Sequence, residues 1–162
     1  MQITIYNSQK DLPLSKAPIQ AMVSYLLGAL DVRCEELIVH FVSKKKICDL
    51  HEKFFDDLTE TDCITFPIDQ EASSPYRVLG EIFICPRVAV AYAKAHRIDP
   101  YKEVSLYVIH GILHLLGFDD LSAKERKVMR RKENECLTLL ERESLLLKKK
   151  VLYKKYKKQS SK

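Results

Sequence analysis

One stretch constrains this chain more than any other: His110-Gly111-Ile112-Leu113-His114-Leu115-Leu116-Gly117-Phe118-Asp119-Asp120. His110 and His114 are four apart inside an apolar run, so on a helix they stack on one face about one turn apart. Two imidazoles at that spacing can close on one metal ion. Gly117 supplies the left-handed residue that ends a helix, and the chain then reverses through Phe118-Asp119 to present Asp120 as a candidate third ligand. Three protein ligands leave a coordination position open, as a catalytic zinc or a related first-row metal requires, whereas a structural zinc fills all four. Gly111 stands where the zinc peptidase motif H-E-x-x-H carries its catalytic Glu, which argues against a protease. A His-x-x-x-His pair alone is a weak signal, because a buried histidine bonded to a carbonyl is commoner than a ligand. The Gly and the acidic turn that follow strengthen it.

A 162-residue chain forms one domain that buries roughly two-thirds of its unfolded surface without staples, so a metal here serves chemistry rather than folding. Five cysteines with no C-x-x-C pair read as small buried hydrophobes in a reducing cytoplasm. There is no signal pattern at the N-terminus and no apolar stretch near 18 residues, so neither secretion nor a membrane span is expected. The net charge of +5 is uneven. Residues 148–162 hold eight Lys and no acid, while residues 1–147 carry 19 basic against 22 acidic side chains. The expected organisation is a domain over 1–147 and a flexible Lys-rich tail over 148–162. Lys148, Lys149, Lys150, Lys154 and Lys155, with Tyr153 and Tyr156 interleaved, suit a nucleic-acid backbone, though a merely solvated tail fits the same residues.

Taken in order, Ile3–Tyr6 reads as a short strand. Ser15 and Pro18 open a helix whose stripe is Ile19, Met22, Val23, Leu26, Leu27 and Leu30. The run Leu37–Val42 predicts a strand buried on both faces, with His40 structural. Ser43 caps a helix with Ile47, Leu50 and Phe54 on its apolar face. Strands over 62–66 and 78–85, about ten residues apart, can pair as a loose hairpin. Gly80 marks a bulge or a close approach, and Glu81 is the notable polar residue beside it. Pro86 opens a short helix, and Asp99-Pro100 starts the histidine helix. On that helix Glu103, Tyr107, His110 and His114 share a stripe, so Glu103 is expected to orient His110 or Tyr107. Ser122-Ala-Lys-Glu125 is a capping box opening a long charged helix with Val128, Met129, Cys136, Leu140 and Leu147 inward.

These residues resemble the bacterial YbeY family of single-strand-specific, metal-dependent endoribonucleases of ribosomal RNA maturation. The family signature H-G-x-L-H-L-x-G-Y-D-H is matched at His110-Gly111, Leu113-His114-Leu115, Gly117 and Asp119, with Phe118 for the Tyr. Thr61-Asp62-Cys63-Ile64-Thr65-Phe66-Pro67 is similar to the family's T-D-V-L-S-F-P, and Gly80-Glu81-Ile82 to its G-D-I. Two positions depart. Asp120 stands for the family's third histidine, and His51-Glu-Lys-Phe54-Phe55 lacks the Arg of the family's N-x-x-Y-R segment, a group associated with the RNA phosphate.

The resemblance implies an α+β fold, a small mixed β-sheet of about four strands packed with about five helices, with the metal site at the end of a central helix. It implies one divalent metal ion, zinc foremost, held by His110, His114 and Asp120, with Glu81 or Asp119 relaying a proton beside His114. The implied substrate is single-stranded RNA, chiefly ribosomal RNA at the 3′ end of the small-subunit RNA, in ribosome maturation and quality control. Implied partners are the ribosome or its proteins, with no DNA and no membrane. The rival reading is a ribosome-assembly factor that binds RNA or protein and cleaves little; loss of the Arg favours it, and the open three-ligand set favours the enzyme. A hydrolase of small phosphoesters or peptides is a third and more distant reading.

Overall fold

A computed structural model describes residues 1–69 and 75–150. The elements run β1 (Gln2–Asn7), α1 (Lys16–Ala29), β2 (Glu36–Phe41), α2 (Lys44–Phe55), β3 (Cys63–Pro67), β4 (Val78–Ile84), α3 (Pro86–His96), α4 (Pro100–Leu115) and α5 (Ala123–Arg142). The four strands form one mixed sheet in the order β1-β2-β4-β3. β1 pairs parallel with β2 and β2 parallel with β4, while β3 returns antiparallel along β4. The parallel pairs need crossovers, which α1 and the α2–β3 segment supply; the antiparallel pair is the expected loose hairpin. Among the described residues no helix is long and apolar enough to cross a membrane.

Strand alternation assigns the two faces of the sheet. Leu37, Val39 and Phe41 of β2 and Ile82 and Ile84 of β4 are buried beneath the helices, in one core with Ile19, Met22, Leu26, Val108, Ile109 and Ile112. Ile38, His40, Glu81 and Phe83 point to the other face and are only half-buried. The expectation that β2 is covered on both faces is therefore corrected. On that side α2 buries Ile47 against Val42, Ile64 and Cys85, and its Phe54, half-exposed, meets the Phe66 ring edge-on. One helix lying over the β3–β4 side is too little to cover His40 and Tyr6.

The bulge expected at Gly80 is present. Glu36 pairs with Val78 but Ile38 with Glu81, so β4 spends one extra residue there. Gly80 has φ +154°, and a Cβ would lie 2.5 Å from the Phe66 carbonyl oxygen and 2.8 Å from Leu115 Cδ2. The close approach comes from the protein itself, the end of α4 resting on the bulge.

Candidate metal centre

The histidine helix is held at both ends and along its length. At its start the Asp99 carboxylate accepts from the Tyr101 amide, with Pro100 in the first turn. Along its middle Gly111 lies directly over β4, where a Cβ would sit 2.5 Å from Ile82 Cγ2 and 3.1 Å from Cys63 Sγ. This contact explains the missing in-helix glutamate: the position faces the sheet and has no room for a side chain. At its end Gly117, at φ +91°, donates its amide to His114 O, and the Phe118 amide reaches Leu113 O, a Schellman closure.

The following turn is tied down as firmly. Asp119 Oδ1 accepts from the Asp120 amide at 2.9 Å, and Arg126 donates to the carbonyls of Asp120 and Leu121. Ser122 and Glu125 form the expected capping box, which starts α5 at a fixed point after the turn.

These constraints bring three donors together. His110 Nε2 lies 2.9 Å from His114 Nε2, and Asp120 Oδ2 lies 3.6 Å from the first and 3.9 Å from the second. A tetrahedral ion with ligand bonds of about 2.0–2.1 Å places its donors about 3.3 Å apart, so this triangle is of the right size. The donor types also fit, since two imidazole nitrogens and a carboxylate turned toward one point favour a cation between them. His110, His114 and Asp120 thus form a candidate ligand set for a divalent metal.

Glu133 of α5 completes the surroundings, its Oε1 lying 2.7 Å from His110 Nδ1. The ionised carboxylate can only accept, so Nδ1–H donates and the Nε2 lone pair turns to the triangle. Burial works to lower the His110 pKa, but the Glu133 hydrogen bond and the charges of Asp62, Glu133 and Asp120 outweigh it and raise it above the ordinary imidazole value.

A cleft of about 480 Å³ opens beside His110, lined by Glu60, Asp62, Tyr92, Glu103, Tyr107 and Glu133 among others, and among the described residues no Lys or Arg lines it. Of the two partners foreseen for Glu103, Tyr107 is the one that bears on its carboxyl. Burial raises the Glu103 pKa against the opposing effect of Tyr107, and burial together with the Glu103 charge pushes Tyr107 up well beyond the ordinary phenol.

The remaining expected residues are placed as follows. Asp119 precedes the ligand Asp120 and shapes the turn by accepting from the Asp120 amide. Glu81 does not join: its Oε2 is 2.7 Å from His40 Nε2, on the sheet face opposite α4. A proton relay from Glu81 at the centre does not fit this placement. Phe55, where the resemblance expects Arg, is half-exposed and tilts against the His51 ring. Lys148, Lys149 and Lys150 are exposed after Leu147. Lys154 and Lys155 lie outside the described residues. Two neighbours escaped the sequence reading, Glu133 and, as part of the site, Asp62. Glu133 left a signal: with Met129, Cys136 and Leu140 it falls on the inward stripe of α5, where an acid needs a partner. The cysteines are all free, and burial pushes the Cys63 thiol far above its ordinary pKa, so it offers neither nucleophile nor ligand.

A mixed four-stranded sheet carrying a helix with two facing histidines, closed by an aspartate from the next turn, defines an α+β protein with a three-donor candidate metal centre. Its fold resembles the solution structure of TM1509 from Thermotoga maritima, with TM-score 0.64 and 26% identity over 88% of this chain and 91% of that one. A family model described as Endoribonuclease YbeY matches residues 4–141, and the chain belongs to the YbeY family. Relatives named Endoribonuclease YbeY include one from Protochlamydia amoebophila, 42% identical over 90% of this chain and 97% of its own length. One from Chlamydia caviae is 38% identical over 91% and 96%, and one from Chlamydia trachomatis 35% over 90% and 92%. Membership in this family supports an RNA endonuclease role for the chain.

Proposed function

We propose that this protein is a cytoplasmic, metal-dependent endoribonuclease that hydrolyses single-stranded RNA, with ribosomal RNA at the 3′ end of the small-subunit RNA as its substrate, acting in ribosome maturation and quality control with the ribosome or its proteins as partners. The observation that carries the metal dependence is the convergence of His110 Nε2, His114 Nε2 and Asp120 Oδ2 within one coordination triangle. The ribosomal substrate follows from the family resemblance alone. His110, His114 and Asp120 would hold one divalent ion, zinc foremost. Such an ion, when bound, polarises a phosphoryl oxygen and generates an activated water near neutral pH.

The residues of the chain do the rest. Glu133 holds the His110 ring and Asp119 fixes the Asp120 backbone; Asp119 is the residue proposed to relay a proton beside His114. Lys148, Lys149 and Lys150, with Lys154 and Lys155, would attract the RNA backbone electrostatically. The test is metal content by native mass spectrometry alongside cleavage of a labelled single-stranded RNA, for wild type, His114→Ala and Asp120→Ala. About one ion per chain in the wild type, lost in His114→Ala together with cleavage and weakened in Asp120→Ala, is expected; a wild type that cleaves RNA equally well after chelation overturns the reading.

A second reading, an assembly factor that binds RNA or a ribosomal protein and cleaves little, is favoured by Phe55 in place of the family Arg and by the carboxylate lining of the cleft. RNA binding that is salt-dependent, survives His114→Ala and is accompanied by no turnover even in the metal-loaded wild type would establish it.

A further inference from the structure

The two histidines of the triangle are not equivalent. His110 carries a carboxylate on its Nδ1 at 2.7 Å, whereas among the described residues no carboxylate hydrogen-bonds the Nδ1 of His114. The His110 and Glu133 side chains are only 17% and 15% exposed, so their bond is shielded from exchange with water. Glu133 also stands on the inward stripe of α5, with Met129 one turn before it and Cys136 one turn after, both buried. A carboxylate there is unfavourable unless it meets a donor, and His110 Nδ1–H is the donor it meets. The bond joins the two helices that pack against each other at the site, α4 and α5, through one atom pair.

Resting on the reading of the triangle as a metal centre, we propose that Glu133 is a positioning residue that fixes His110 as the Nδ1–H tautomer and thereby aims its Nε2 lone pair at the ion. Without the carboxylate either ring nitrogen can carry the proton, and an Nε2–H form blocks one of the three donors. Glu133 touches neither the ion nor the substrate; it acts through His110.

The experiment uses the full chain and two probes. Titration of the metal-free protein with Co²⁺ gives a Kd for wild type, Glu133→Gln and Glu133→Ala. Long-range ¹H–¹⁵N correlation of the metal-free proteins, at a pH high enough that the His110 ring is neutral, reads which nitrogen of His110 is protonated, a signature that loss of general packing does not move in a defined direction. Expected are an Nδ1–H tautomer in the wild type, a shift toward Nε2–H in Glu133→Ala, and weakening of Co²⁺ binding by about 10–100-fold in that variant, with Glu133→Gln between. A folded Glu133→Ala that keeps both the wild-type tautomer and the wild-type Kd overturns the proposal. If Glu133→Ala does not fold, Glu133→Gln decides: weaker Co²⁺ binding supports the role and unchanged binding removes it. A wild type that binds no Co²⁺ defeats the metal reading instead, while the tautomer measurement still judges the hold of Glu133 on His110.

Discussion

The molecule contains two histidine–carboxylate pairs of the same length, 2.7 Å, on opposite sides of its sheet. His40 and Glu81 lie on the partly open face. There the imidazole is sandwiched between Phe83, centroids 4.2 Å apart with planes 1° apart, and Tyr6, at 5.1 Å and 16°. His110 and Glu133 lie among the helices, where the ring stands edge-on to His114 at 4.4 Å. The carboxylate takes Nε2 of His40 but Nδ1 of His110. What differs chemically is the direction of the remaining nitrogen: in His110 it faces a second imidazole and a carboxylate, while the faces of His40 meet only aromatic rings. A histidine–carboxylate pair is therefore half of a ligand site, and the other half is what the free nitrogen meets.

The largest expected effect breaks the comparison outright. His114→Ala should lose the bound ion and reduce cleavage of labelled RNA to background, whereas His40→Ala should keep about one ion per chain by native mass spectrometry. Equal loss in the two variants would mean that the pairs are not functionally distinct.

Next comes the contact that brings α4 onto the sheet between the two pairs. Gly111→Ala forces a methyl to 2.5 Å from Ile82 Cγ2, a β-branched side chain in a strand that cannot swing away. Destabilisation of about 1–3 kcal/mol is expected, read as a drop in Tm of several degrees by calorimetry. An unchanged Tm would show that the helix lifts from the sheet without penalty and that this contact does not hold the ligand triangle in place.

A smaller effect is expected from Ser122→Ala, which removes one half of the capping box that follows the ligand turn. The loss should be about 1 kcal/mol in denaturant unfolding, with Co²⁺ affinity falling only as far as the Asp120 turn loosens. Retained stability with strongly reduced affinity would assign the box to the site rather than to the helix.

The smallest effect concerns Glu103, a carboxylate near the site whose neighbour is a phenol instead of a histidine. Burial raises its pKa above the ordinary value of a free glutamate. A group with a raised folded pKa contributes stability that is fully present below its unfolded pKa and is lost as pH rises through the folded one. Wild-type stability relative to Glu103→Gln should accordingly be greatest in acid and decline as pH rises above about 4.3. A difference between the two proteins that is flat with pH would show that Tyr107 and the surroundings compensate the buried charge.

Much of this was legible in residues whose meaning is local. The spacing of His110 and His114, the glycine at 117, the Asp99-Pro100 start and the Ser122–Glu125 box depend on backbone geometry within one or two turns, and each formed as expected. The buried stripe of α1 likewise followed from its 3.6-residue period. Less legible was β2, where a run of apolar and aromatic residues cannot show that only one helix covers its far side. Glu81 was misplaced and Glu133 passed over for a related reason. Adjacent to a motif glycine, Glu81 looks close to the chemistry, yet strand alternation turns it to the other face. Glu133 is 13 residues beyond Asp120 on a highly charged helix, and only its phase against Met129 and Cys136 distinguishes it from its exposed neighbours.

By itself the sequence determined the elements, the helix-borne histidine pair and the turn that offers Asp120, because these depend on short-range backbone preferences and on side-chain spacing along one helix. Only the tertiary structure decided which carboxylate meets which histidine. That choice depends on the phase of α5 against α4 and on which face of the sheet each strand residue occupies, and both are set by packing between segments far apart in the chain.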